Sequence, residues 1–101
     1  MTHDQTSNNN EYSHTADVTI VNKRGLHARA SAKLVKLANS FDAKIMVSKD
    51  KTEVLGTSIM GLLLLAAGIG EIIKIKTSGP QAEEALASLK ELIENKFEED
   101  N

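Results

Sequence analysis

The sequence has no cysteine and no tryptophan, and aromatic residues make up only 3% of its 101 positions. Without cysteine the chain forms neither a disulfide nor a thiolate-held metal site. With so few rings, its core has to be assembled from Leu, Ile, Val and Ala. Sheets that bind RNA usually present aromatic side chains for base stacking. Here only Tyr12, Phe41 and Phe97 are available, and none falls on an expected strand. An excess of one charge is missing as well. The formal net charge of -2 gives no general attraction to nucleic acid or anionic lipid.

Long apolar runs are absent too. The longest, Ile59 to Gly70, is interrupted by Gly61 and Gly68 and falls short of the roughly 20 residues a membrane-spanning helix needs. Met1 to Ser13 is polar and lacks the hydrophobic segment of a secretory signal. The expected location is therefore the cytoplasm. Residues 1–15 have little to bury and are expected to form a disordered tail, with a second short tail at 98–101. His3 and His14 are too isolated to suggest a metal site, and neither a metal nor a cofactor is expected. With 41% hydrophobic and 26% charged residues, the remainder reads as one globular domain over residues 16–97.

Periodicity orders that domain. Val18-Thr19-Ile20-Val21 is β-branched and reads as a strand, with Asn22-Lys23-Arg24-Gly25 as the loop after it. From Ala28 the spacing becomes helical. Ala30, Leu34, Leu37 and Phe41 form an apolar stripe, while Arg29, Lys33 and Lys36 lie on a separate basic face. Lys44 to Lys49 and Thr52 to Leu55 read as strands joined by a tight turn at Asp50-Lys51. The run Ile59 to Ala67 has two readings, a buried strand or a short helix. Thr57 or Ser58 as N-cap favours the helix. Glu71 to Thr77 is the fourth strand. Ser78-Gly79-Pro80 opens a last helix, whose stripe runs from Ala82 through Leu89 and Ile93 to Phe97. The fold class is α/β (α+β): an open-faced two-layer sandwich in the order β-α-β-β-α-β-α, with a four-stranded sheet and three helices.

Chemistry concentrates in Lys23-Arg24-Gly25-Leu26-His27-Ala28-Arg29-Ala30. A glycine loop brings a histidine to the start of a helix, where free backbone N–H groups and the dipole favour anions. An imidazole with a pKa of about 6.5 is largely neutral at pH 7 and offers a lone pair as nucleophile. Arg29, two residues on, supplies a charge-assisted contact for a phosphoryl group. Spacing alone also allows a plainer reading, in which His27 is a surface or capping residue and Arg29, Lys33 and Lys36 a solvated face.

Gly25-Leu26-His27-Ala28-Arg29 followed by the apolar helix resembles the active-site motif of HPr, the histidine-containing phosphocarrier of the bacterial phosphoenolpyruvate-dependent phosphotransferase system. Ser58-Ile59-Met60-Gly61 is similar to that family's second characteristic segment, at the expected distance, and the element order agrees from about Ala16 to Lys96. Many members have proline where this chain has Ala30, which leaves open a nitrogen-related (NPr-like) or a sugar-transport branch. The resemblance implies an antiparallel sheet with its helices on one face. It also implies that phosphorylated Enzyme I loads Nδ1 of His27, that the residue matching Arg29 holds the phosphoryl group, and that an EIIA-type protein unloads it. The protein is then a stoichiometric carrier rather than an independent enzyme, with a monomer expected.

The same resemblance makes Ser58 a candidate for regulatory phosphorylation by an HPr kinase/phosphorylase, beside its simpler role as N-cap. Met60 and Leu63 are candidates for an apolar docking patch, and Lys33 for steering acidic partners. A second functional class is a regulatory binding module switched at Ser58. The intact pair His27 and Arg29 argues against that as the sole role.

Overall fold

The computed structural model describes residues 12–99, so the expected tail lies outside the described residues at positions 1–11. Among the described residues, seven regular elements follow one another: β1 (His14–Thr19), α1 (Ala28–Ala38), β2 (Lys44–Lys49), β3 (Thr52–Leu55), α2 (Ile59–Leu65), β4 (Ile72–Ser78) and α3 (Ala82–Glu94). A short 3-10 turn, Lys96–Glu98, follows α3. The strands form one sheet in the order β1-β4-β2-β3, with every neighbouring pair antiparallel.

Alternation assigns the two faces of this sheet. Val18, Ile45, Val47, Ile73 and Ile75 are buried together with Leu34, Leu62, Leu89 and Ile93 from the three helices. Each fully buried side chain of this size contributes about 1.5–3 kcal/mol. The opposite face is charged. Lys74 pairs with Asp17 at 3.3 Å and Lys76 with Glu53 at 2.9 Å, and the ammonium groups of Lys44 and Lys76 lie 5.6 and 5.9 Å from the Tyr12 ring centroid.

The four strands and three helices occur in the expected order, with shifts at the margins: α1 ends at Ala38, short of Phe41, and β4 runs one residue later than expected. β1 starts at His14 rather than Val18 and stops at Thr19. It pairs with β4 from His14 opposite Thr77 to Thr19 opposite Ile72, so polar residues ahead of the apolar stretch still find ladder partners. α2 ends at Leu65, two residues earlier than expected, because Ala66 turns left-handed at φ 50°. α3 ends at Glu94, and Phe97 is not on its stripe. Lys96, Phe97 and Glu98 instead take φ values of 59°, 54° and 64°. This left-handed turn folds Phe97 back into the core, where it is fully buried, and redirects the chain towards α1.

Candidate functional site

The loop before α1 is fixed by tight backbone packing. Gly25 has φ +63°, and a Cβ there would lie 2.4 Å from the Ala67 carbonyl oxygen. The same oxygen accepts the Leu26 N–H at 2.9 Å, tying the loop to the segment that closes α2. Only glycine combines this φ with this approach. Asn22, fully buried, donates from Nδ2 to the Gly25 carbonyl at 2.9 Å and closes the loop from the other side.

His27 is the N-cap of α1. Its backbone is extended, its carbonyl accepts the Ser31 N–H at 2.8 Å, and its side chain makes no capping bond. The imidazole is therefore free for other work, and 15% of the side chain remains exposed. Nε2 lies 2.5 Å from Glu99 Oε2, and the other oxygen of that carboxylate accepts from Asn22 Nδ2 at 3.1 Å. Burial pushes the Glu99 carboxyl up, but hydrogen bonds from His27 and Asn22 and the charges of His27 and Lys33 outweigh it and hold it below the usual range. An ionised carboxylate only accepts, so Nε2 is the donor, and in the neutral ring the lone pair is on Nδ1.

The other expected residues fall into two groups. Arg29 is exposed on the first turn of α1. Lys33 is half-buried, with its ammonium engaged by the Phe97 carbonyl at 2.7 Å. Ser58, Met60 and Leu63 belong to α2. Ser58 Oγ accepts the Gly61 N–H at 2.9 Å, making Ser58 rather than Thr57 the N-cap. Met60 is 72% exposed, Leu63 is exposed less at 38%, and Leu64 at 74% is the most exposed large apolar side chain of α2. Since α2 has seven residues, about 10 Å of helix separates Ser58 from the segment bonded to the histidine loop.

Near the far end of α2, Glu71 accepts the Gly68 N–H at 2.7 Å and pairs with Lys49 at 3.0 Å. The Gly68 bond and the Lys49 contact hold its carboxyl below the usual range, with burial opposing. Lys49 also donates to the carbonyls of Leu65 and Ala66, which end α2.

Asn22 and Glu99 were not among the expected site residues. Asn22 carried a turn signal only. Glu99 stands 72 positions from His27, and no local pattern connects them. Among the described residues no cluster of three or more His, Cys, Asp or Glu could hold a metal, and no helix is long and apolar enough to cross a membrane.

Known proteins resemble this chain in sequence and fold. Residues 14–95 match the family described as "PTS HPr component phosphorylation site". The chain is 49% identical over 83 residues to the phosphocarrier protein HPr of Cupriavidus necator, spanning 82% of this chain and 93% of that one. It is 43% identical over 82 residues to the phosphocarrier protein NPr of Shewanella violacea, spanning 81% and 90% of the two chains. Among solved structures, HPr-C-His from Thermoanaerobacter tengcongensis superposes with a TM-score of 0.83 at 40% identity, covering 87% of this chain and 99% of that chain. With the family match spanning every strand and helix of the sandwich, the chain belongs to the HPr family of phosphotransferase-system phosphocarriers.

Proposed function

We propose that this protein carries a phosphoryl group on Nδ1 of His27, taking it from phosphorylated Enzyme I and passing it to an EIIA-type acceptor. The observation that carries the reading is the placement of a partly exposed, uncapping histidine at the N-terminus of α1 behind a glycine loop. Family membership supports the same chemistry. Attack by Nδ1 on phosphorus forms the N–P bond as the donor's bond to phosphorus breaks, its electron pair leaving with the donor. Arg29, exposed one residue into α1, pairs with the phosphoryl oxygens, and the helix N-terminus favours their charge.

Docking falls to the apolar surface of α2 through Met60 and Leu63, with Lys33 adding positive charge on α1. Ser58 at the start of α2 is the regulatory position: a phosphate there suits the helix N-terminus and adds negative charge beside the docking residues. The chain acts stoichiometrically, loaded and unloaded once per cycle, as a soluble cytoplasmic monomer.

The test is labelled phosphoryl transfer from phosphoenolpyruvate and Enzyme I to wild type and to His27→Ala. An acid-labile, alkali-stable label lost in the variant is expected. Retained labelling in His27→Ala refutes the assignment, and an acid-stable label confined to Ser58 would favour a purely regulatory module.

A further inference from the structure

The family match ends at residue 95, yet the side chain bonded to the histidine ring comes from residue 99. Three consecutive non-glycine residues in the left-handed region bring it there, a conformation unfavourable at each position for a residue with a Cβ. The turn is held by the fully buried Phe97 ring and by Lys33, whose ammonium donates to the Phe97 carbonyl at 2.7 Å. Strained backbone persists where its surroundings over-determine it, and such strain clusters at functional sites.

The carboxylate so delivered is gripped at both oxygens. Oε1 accepts from Asn22 Nδ2 at 3.1 Å and Oε2 faces His27 Nε2 at 2.5 Å. Asn22 also donates to the Gly25 carbonyl at 2.9 Å, so the glycine loop, the carboxylate and the imidazole form one hydrogen-bonded unit. Glu99 cannot shift without disturbing the loop that sets His27.

We infer that Glu99 is a positioning residue for the phosphoryl transfer, orienting the imidazole so that Nδ1 is the nitrogen presented to phosphorus. The inference rests on the carrier reading given above. Because Nε2 holds its proton against a carboxylate, the ring does not need to lose or gain a proton when it attacks. Nδ1 contributes its lone pair to the new bond, the donor departs with its own electron pair, and the positive charge acquired by the ring faces Glu99. A carboxylate partner also fixes the ring's rotation, which a free N-cap side chain lacks.

The experiment compares full-length wild type with Glu99→Ala, Glu99→Gln and Glu99→Asp by two readouts. Nitrogen-15 NMR of the His27 ring reports the proton on Nε2, and the initial rate of labelling from phosphoenolpyruvate and Enzyme I reports transfer. In the wild type a hydrogen-bonded Nε2–H resonance is expected. In Glu99→Ala it is lost, and labelling slows about tenfold, the lower end of what removing the partner of a working histidine costs at metal sites. Glu99→Asp is expected to restore part of both, and Glu99→Gln, which keeps an acceptor but not the charge, to restore less of the rate.

An unchanged labelling rate in Glu99→Ala overturns the inference whatever the ring spectrum does, since the contact then only pins the turn. Labelling of wild type and variants alike leaves the carrier function standing. Absence of label on wild type, with Enzyme I shown to be active, overturns the carrier reading and the role of Glu99 together.

Discussion

Replacing Gly25 with alanine tests the backbone argument on which the histidine loop depends. Two separate penalties arise. At φ +63° a residue with a Cβ loses about 1–2 kcal/mol. The new Cβ also meets the Ala67 carbonyl oxygen at 2.4 Å and Gly68 Cα at 2.9 Å, both backbone atoms. Relief requires that oxygen to retreat from the Leu26 N–H it accepts at 2.9 Å. Overpacking of this kind costs about 1–3 kcal/mol, and a weakened hydrogen bond about 0.5–1.5 kcal/mol more. The expected total is about 2.5–6.5 kcal/mol.

Gly70 supplies the control. It too has positive φ, at +87°, but a Cβ there meets nothing within 4 Å. Gly70→Ala is expected to lose only the conformational part, about 1–2 kcal/mol. Urea unfolding of the two variants beside wild type measures the difference, expected at about 1.5–4.5 kcal/mol, or a melting-point gap on the order of 10 °C. Equal losses in the two variants would refute the close-approach argument. The Gly25 variant should also lose labelling of His27 under conditions where it remains folded, because the loop and the ring share one network.

Ser58→Ala is expected to lose about 1 kcal/mol with the cap to Gly61, whereas Ser58→Asp, itself a good N-cap, should stay near wild type in denaturant unfolding. Phe97→Ala is expected to cost about 3–5 kcal/mol and to release the turn that carries Glu99, so the Nε2–H resonance of His27 should disappear with it. The Glu71 carboxyl is held below its usual range when folded. Its contribution is therefore complete above the unfolded-state value and fades as pH falls through the depressed folded value, so the stability gap between wild type and Glu71→Gln should narrow on acidification. A gap independent of pH would overturn that assignment.

Most of the architecture was legible along the chain. The stripes of α1 and α3 and the alternation of β2 and β4 record one buried face each, and such periodicity needs only the identity of neighbours in sequence. β2 and β3 have the expected boundaries because the turn at Asp50 sets their register locally. The start of β1 was not legible, since His14 and Thr15 pair only because β4 offers partners. Phe97 shows the same limit from the other direction. Its spacing continues the α3 stripe, but the chain leaves the helix at Asn95 and still buries the ring, by a left-handed turn.

The site divides in the same way. Sequence by itself placed the glycine in the loop, the histidine at the helix start and the arginine on its first turn, because a loop, an N-cap and a first helical turn are local structures whose requirements appear in consecutive residues. It also determined Ser58 as a cap candidate. Only the tertiary structure decided which atoms surround the imidazole. Glu99 meets His27 across 72 positions and Asn22 across 77, and their geometry depends on a core packed closely enough to hold a left-handed turn in place. Short-range pattern encodes what the backbone will do next. Which nitrogen of the ring faces a carboxylate depends on where distant segments come to rest, and that is set by packing.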